Sequence, residues 1–233
     1  MEQAIFRMLC AVALLVLGGC SREAATPPAA TGAPDPVAQV DWGAMKAFWD
    51  RSIGLPGIET GPPETGKRML VYFDPNCPVC ARQWRILQPY LGAVRIRWIP
   101  IAYMSESSKR RAAAILAAPD PVRALAQNED EYDDERHLGG YPPSASVPDW
   151  ALRAVETNTR QAMRAGDATG TPTLGFELYK GERYFRLFGL LGERAAAVAV
   201  KELGDTRDPW ARTRELTSSQ AAGHGGGNPA TAQ

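Results

Sequence analysis

Two cysteines with two residues between them are the side chains of this sequence best suited to chemistry. Cys77 and Cys80 lie in the stretch FDPNCPVCARQW, after an apolar run that predicts a strand and before a pattern that predicts a helix. Such a pair can bind a metal, form a permanent disulfide or act as a redox centre. The number of other thiols and histidines in the chain decides between these uses.

The N-terminal residues reduce the number of available thiols. Residues 8–19 form an apolar run that follows Arg7 and ends in small residues, which is typical of an export signal and too short to span a bilayer. The ending LGGC resembles the lipobox of bacterial lipoproteins. We therefore expect residues 1–19 to be a lipoprotein signal peptide, with cleavage before Cys20 and a lipid on its sulfur. An ordinary secretory signal, with Cys20 incidental, is the alternative.

After this processing, Cys77 and Cys80 are the only thiols left. A structural zinc site needs four ligands, normally Cys or His, and the two histidines, His137 and His224, are far apart in the chain. A permanent bridge across two residues closes a very short loop, so it removes little entropy from the unfolded chain. We therefore favour a redox pair, with no metal and with a Cys77–Cys80 disulfide in place of a separate cofactor.

The predicted local structure suits redox chemistry. A strand, then Cys-Pro-Val-Cys, then a helix places Cys77 at a helix N-terminus, where free amides and the helix dipole stabilise a thiolate. Pro78 suits the first helical position, because its missing N–H has no partner to lose there. We expect Cys77 to be the exposed attacking sulfur and Cys80 the shielded sulfur that resolves a mixed disulfide.

Sequence patterns elsewhere predict an α/β domain at residues 41–204 of the 233. Its expected order is helix, strand, helix, strand, helical insertion, hairpin and helix. This order predicts a mixed sheet in which a helical insertion joins a βαβ unit to a C-terminal ββα unit. The predicted segments are a disordered tether at 20–40, helices at 41–53 and 193–203, a loop at 54–66, strands at 68–73, 94–104, 171–179 and 183–189, the insertion at about 105–168, a kink at Pro89 and a flexible tail at 205–233.

The balanced net charge argues against nucleic acid as a partner, and the chain contains one acidic run. The 26 basic and 26 acidic residues balance, so there is no basic footprint for nucleic acid. Residues 128–135, NEDEYDDE, lack the spaced glycine of a calcium loop, and we interpret them as a solvated face or loop.

Asp74 and Asn76 are interpreted as turn residues before the cysteine pair, although Asp74 could serve the active-site surface.

A proline at the start of the predicted hairpin completes the pattern. Thr171–Pro172 opens the first hairpin strand, and proline is the one residue for which a cis peptide bond costs little. The stretches VYFDPNCPVC, AAAILAAPDP and TGTPTL, with Gly189, together resemble the thioredoxin superfamily. Within it, the chain resembles the periplasmic thiol:disulfide interchange proteins of the DsbC/DsbG type and is closer to DsbG. The resemblance spans about residues 41–203 and implies a thioredoxin-like fold.

The resemblance also implies roles for individual residues. Cys77 attacks a client disulfide and Cys80 resolves the product. Pro172 is cis and packs beside the pair, while Thr171 tunes the Cys77 thiolate and pairs its backbone with a bound polypeptide. Pro78, Val79, Thr171 and Pro172 are thus the expected active-site support and substrate-binding residues.

Two departures from the family shape the expected function. The segment between Cys20 and the strand at 68–73 leaves no room for the family's N-terminal dimerisation domain, so we expect a monomer. The lipid anchor is the second departure, and Ser21 implies the outer membrane. We expect a lipid-anchored periplasmic oxidoreductase that reduces or isomerises disulfides or sulfenic acids of exported proteins, recycled by a DsbD-like membrane electron donor. The alternatives are a DsbA-like thiol oxidase and a non-catalytic copper-handling or envelope-assembly lipoprotein.

Overall fold

The computed structural model describes residues 40–143, 146–164, 166–178 and 183–203. The signal peptide at 1–19, Cys20, the tether up to residue 39 and the tail at 205–233 lie outside the described residues. The elements are, in chain order, α1 (Trp42–Ile53), β1 (Ile58–Thr60), β2 (Arg68–Phe73), α2 (Pro78–Leu87), a 3-10 turn (Gln88–Tyr90), β3 (Arg95–Pro100), α3 (Glu106–Leu116), α4 (Pro121–Asp130), α5 (Asp149–Arg164), β4 (Thr173–Leu178), β5 (Arg183–Phe188) and α6 (Glu193–Glu202).

The strands form one mixed sheet in the order β1-β3-β2-β4-β5. Strands β2 and β3 are parallel, and the other neighbouring pairs are antiparallel. The parallel pair needs a crossover, which α2 supplies, whereas β4 and β5 pair as the predicted hairpin. The sequence prediction of a mixed α/β sheet is therefore confirmed. No helix within the described ranges is long and apolar enough to cross a membrane.

Alternate residues of β2 enter two different hydrophobic clusters. Val71 and Phe73 belong to the cluster that holds both cysteines, whereas Leu70 and Tyr72 pack with Phe48 of α1. This alternation follows from the period of two along a strand, and it makes β2 the central buried strand of the sheet. The chain emerges from β2 directly into the cysteine loop, so the best-packed strand fixes the position of the pair.

The helical insertion closes over the same end of the sheet. Helix α3 packs against α5, and α4 packs against α2, the helix that begins at the cysteines. Asp120 caps α4, with its Oδ1 accepting a hydrogen bond of 3.0 Å from the amide of Arg123. The predicted helical character of residues 105–168 is confirmed for these three helices, and a long connection separates α4 from α5.

Two local predictions were wrong. The predicted loop at 54–66 contains β1, which pairs with β3 and is too short to show a sequence period. Pro89 does not kink a longer helix: α2 ends at Leu87, and the proline lies in the 3-10 turn that follows. A proline in a helix interior would remove a backbone hydrogen bond and clash with the preceding turn, so the helix ends before it.

Candidate active site

Cys77 is the N-cap of α2, as the sequence predicted. Its backbone is extended, with φ −92° and ψ 116°, and Pro78 takes the first helical position. Its carbonyl oxygen accepts hydrogen bonds from the amides of Cys80 at 3.0 Å and Ala81 at 3.2 Å, which begin the helix. Its sulfur therefore lies at the positive end of the helix dipole.

The pKa of Cys77 is lowered from its ordinary value of 9.0 to about 6. The hydrogen bond with the Cys80 thiol is the largest cause, and a side-chain hydrogen bond with Thr171 and the amides of Cys80 and Val79 add to it. Burial acts in the opposite direction, because it disfavours the charged form. At neutral pH the reduced site consequently holds a thiolate at Cys77.

Cys80 is shielded, as expected, but Cys77 is much less exposed than the sequence suggested. The exposed fraction is 1% for Cys80 and 3% for Cys77. Burial raises the pKa of Cys80 well above its ordinary value, and the neighbouring Cys77 raises it further. Both cysteines are free thiols. The pair is thus one ionised and one neutral sulfur, and a partner disulfide must reach Cys77 at a covered surface.

Thr171 and Pro172 provide that cover. The peptide bond between them is cis, and the Cys77 thiol lies 3.4 Å from the carbonyl oxygen of Thr171, to which it donates when protonated. The Thr171 hydroxyl is buried and has no hydrogen-bond partner by distance and angle among the described residues, although its side chain contributes to the lowered pKa of Cys77. The structure therefore brings together four of the predicted site residues, Cys77, Cys80, Thr171 and Pro172.

The other two predicted support residues, Pro78 and Val79, occupy the first turn of α2 between the cysteines. Both are half-buried. Val79 packs against the hydrophobic cluster that contains the two sulfurs, and its amide helps to lower the pKa of Cys77.

The loop that carries Thr171 is anchored to distant elements. The buried Asp167 accepts hydrogen bonds from Arg51 of α1, at 2.9 Å from Nε and 2.6 Å from Nη2. The hydroxyl of Tyr103 donates to the carbonyl of Thr169 at 3.3 Å. These contacts tie the loop to α1 and to the segment that follows β3.

Asp74 is more than a turn residue. Its carboxylate is fully buried and accepts four hydrogen bonds. Oδ1 accepts from the Asn76 amide and the Ser108 hydroxyl, each at 2.8 Å, and Oδ2 accepts from the amides of Tyr103 at 2.6 Å and Met104 at 2.8 Å. Asp74 thus joins the cysteine loop to the start of α3, which the sequence interpretation of Asp74 and Asn76 as plain turn residues missed.

Asn76 extends this network to the rest of the insertion. Its backbone carbonyl accepts a hydrogen bond of 3.0 Å from the Tyr132 hydroxyl, and its Oδ1 accepts one of 3.3 Å from the Gly139 amide. Its Nδ2 lies within hydrogen-bond distance of three hydroxyls, those of Ser105, Ser107 and Ser108. The residue before the attacking cysteine is therefore held by two sets of side chains and one backbone amide, from three separate parts of the insertion.

The interpretation of residues 128–135 as a solvated run was wrong for part of it. Asn128, Glu129 and Tyr132 are buried, and Asn128 Nδ2 donates to the carbonyl of Pro75 at 2.9 Å. The apolar positions Ala124 and Leu125 continue at helical spacing into these three residues, so the inward face of α4 was visible in the period. Acidic composition obscured that period.

The described residues contain no cluster of three or more His, Cys, Asp or Glu side chains arranged to hold a metal ion. His137 has a positive φ of 54°, in the loop after α4, and His224 lies outside the described residues. The groups gathered around the two sulfurs are hydroxyls, amides and carboxyls.

Two solved structures share the fold of this chain. The catalytic domain of Proteus mirabilis ScsC aligns with a TM-score of 0.54 at 20% identity, over 69% of this chain and 96% of that one. A periplasmic thioredoxin-like protein from Salmonella enterica serovar Typhimurium aligns with a TM-score of 0.53 at 18% identity, over 67% and 95%. The predicted thioredoxin-like fold is therefore confirmed. No family model matches the chain.

Two curated relatives are more similar to the chain in sequence than these structures are. The chain is 27% identical over 131 residues to the thiol:disulfide interchange protein DsbG of Pseudomonas aeruginosa, covering 55% of this chain and 49% of that protein. It is 30% identical over 88 residues to DsbG of Escherichia coli, covering 37% and 36%. The chain is similar to the DsbC/DsbG-type proteins of the thioredoxin superfamily. It spans about half the length of the first relative and about a third of the second.

The lowered pKa of Cys77 gives this DsbC/DsbG-like site a measurable signature. Only the thiolate is alkylated rapidly, so the rate with iodoacetamide should follow a titration with a midpoint near pH 6. Thr171→Val keeps the side-chain shape and removes the hydroxyl, so the midpoint should rise. The matched control is Thr169→Val, an exposed position in the same loop, which should leave the midpoint unchanged. A native midpoint at or above about pH 8 would contradict this account.

The lowered pKa of Cys77 also determines how the stability of the reduced protein changes with pH. Because folding lowers the pKa of Cys77, the thiolate stabilises the reduced protein fully above pH 9.0, the ordinary value. That contribution declines as the pH falls and is lost below about pH 6. The disulfide form has no such contribution. The difference in unfolding free energy between the two forms should therefore change across this window in denaturant titrations.

Proposed function

We propose that this protein is a periplasmic thiol:disulfide oxidoreductase that reduces or isomerises disulfides of exported proteins, or reduces their sulfenic acids. One observation carries the proposal. A sulfur with a pKa of about 6 and a buried neutral thiol stand together at the start of α2, beneath a cis-proline loop. The relatives named thiol:disulfide interchange proteins support the same reaction class.

The reaction begins at Cys77. Its thiolate attacks one sulfur of a client disulfide, the client S–S bond breaks, and the displaced client thiolate takes a proton from solvent. Cys80 then attacks the Cys77 sulfur of the mixed disulfide and releases the second client thiolate. The client gains two electrons, and Cys77 and Cys80 become a disulfide. With a sulfenic acid, the first step expels hydroxide instead of a thiolate.

The surface beside the pair suits an extended polypeptide. Thr171 is half-buried next to Cys77, and we propose that its backbone pairs with a client strand. Tyr103 and Met104 expose 45% and 49% of their surfaces nearby, where their amides hold Asp74. They line an open cavity of about 460 Å³ together with residues of α3 and α5. We infer that these apolar side chains contact the client next to its cysteine.

Cysteine replacements test the proposed reaction. Cys77→Ser should abolish insulin reduction, because the serine hydroxyl is not ionised at neutral pH. Cys80→Ser should instead accumulate mixed disulfides visible on non-reducing gels, because the resolving thiol is missing. An active Cys77→Ser protein would refute the assignment of the attacking sulfur.

The DsbA-like oxidase remains the second candidate, and one observation favours it. A low pKa at the attacking cysteine stabilises the reduced form and makes the disulfide more oxidising. We expect a reduction potential well below about −200 mV, determined by equilibration with glutathione, in agreement with a reductase. A value near about −120 mV would identify an oxidase instead.

Anchoring and recycling complete the proposal. We propose that Cys20 carries a lipid that holds the monomer at the outer membrane, and that a DsbD-like membrane protein returns electrons to the Cys77–Cys80 disulfide. Fatty-acid labelling of the native protein, with the label lost in Cys20→Ala, is the expected result. Labelling that persists in Cys20→Ala would disprove anchoring at this residue.

A further inference from the structure

An apolar groove of about 410 Å³ runs between the β4–β5 hairpin and α6. Phe185 and Leu190 line it and leave 39% and 40% of their surfaces exposed, although both are large apolar side chains. Its walls also include Leu178, Leu187, Ala195 and Ala199, and Glu202 is the only charged residue among the described residues that line it. A continuous exposed apolar surface of this kind indicates a site that another group covers. We call it the β5–α6 groove.

One end of the β5–α6 groove adjoins the candidate active site. Leu191 lines the groove, and its amide donates a hydrogen bond of 2.7 Å to Oε1 of Gln83 on α2. Gly189, two residues earlier, donates its amide to the carbonyl of Pro172 at 2.8 Å. A group that covers the groove therefore packs against the segment that joins α2 to the cis-proline loop.

The last described residues bring the chain to the other end of the groove. Helix α6 ends at Glu202, and Leu203 forms an isolated antiparallel bridge with Leu178 in the groove wall. Residues 204–233 follow and lie outside the described residues. The chain thus leaves the described part of the structure at the groove itself.

The following residues are long enough to return along the groove. The groove extends beside α6 from Ala195 to Glu202, which is roughly 10 Å at a rise of about 1.5 Å per residue. Six residues separate Leu203 from Trp210. An extended chain of that length spans about 20 Å, so Trp210 can reach any point between the two ends.

The segment 208–216, DPWARTREL, has side chains that suit an apolar groove. Trp210 and Leu216 are the only large apolar residues in 204–233. A packed tryptophan buries about 150–250 Å² and dominates the energetics of a contact. The tether at 20–40 contains no aromatic residue and no Leu, Ile or Met, so it has no comparable side chain to insert.

Charge favours the same segment. Glu202 takes part in none of the ion pairs formed within the described part of the chain. Arg212 and Arg214 follow Trp210 by two and four residues. A guanidinium next to the carboxylate at the rim complements its charge and fixes the register of a docked segment.

We propose that residues 208–216 of this chain dock in the β5–α6 groove, with the Trp210 side chain between β5 and α6. The contact is an internal interface of the chain and goes beyond the proposed function, on which it does not depend. It covers the exposed sides of Phe185 and Leu190. It also packs a segment of the chain against the residues that hold the cis-proline loop.

Fluorine NMR of the full chain, labelled with fluorinated tryptophan, tests this contact. The Trp210 signal is identified by its loss in Trp210→Phe. We expect this signal in the native protein to differ from its position in denaturant and to stay constant on dilution, because the contact forms within one chain. Phe185→Ala removes part of the groove wall and should move the signal toward its denatured position.

The matched control is Phe188→Ala. Phe188 is 46% exposed on the same strand, but it lies on the opposite face, so its removal should leave the Trp210 signal unchanged. A native Trp210 signal at the denatured position overturns the proposal, and so does equal movement in both variants. A signal that shifts on dilution assigns the groove to a second copy of the chain and also overturns it.

A dye that fluoresces on apolar surfaces, anilinonaphthalene sulfonate, gives a second measurement. Trp210→Ala should uncover the groove and raise dye fluorescence at least about twofold over the native protein. Trp150→Ala removes a tryptophan that is 52% exposed at the start of α5, and it should cause no such rise. Equal dye fluorescence in the native protein and Trp210→Ala would show that the groove has no cover from Trp210.

Discussion

The buried carboxylate of Asp74 ties the cysteine loop to the start of the helical insertion. Its two oxygens accept hydrogen bonds from the loop itself and from the chain entering α3, so the end of β2 and the insertion are one unit. A buried carboxylate with four donors is stable only while all of them stay in place. The position of Cys77, three residues further on, depends on this arrangement.

The sulfur atoms of Cys77 and Cys80 have opposite electrostatic surroundings. Cys77 receives hydrogen bonds from a neighbouring thiol, from Thr171 and from helix amides, all of which favour its thiolate. Cys80 lies one turn further along the helix, where burial and the neighbouring Cys77 both raise the pKa of its thiol. The difference follows from position on α2: Cys77, the N-cap, lies at the free amides of the first turn, whereas Cys80, the third residue of the helix, is inside the core. Local helix geometry thus separates the roles of attack and resolution.

The sequence could predict what short-range physics determines. The run at 68–73 matched β2 at both ends, and the helix predicted at 41–53 matches α1, which Asp41 caps, because strand patterning and helix capping are local. The three residues of β1 could not be predicted, since only pairing with β3 makes them a strand. The burial of Glu129 was hidden for a similar reason: composition suggested solvent, whereas the packing of α4 on α2 decided the environment.

Pro78 and Val79 stand apart from the network that surrounds them. Asp74, Asn76 and the Thr171 loop are each tied to distant parts of the chain, but the two residues between the cysteines are half-buried and their side chains form none of those hydrogen bonds. Substitution of these two side chains would therefore remove none of the side-chain hydrogen bonds that hold Asp74, Asn76 and the Thr171 loop in place.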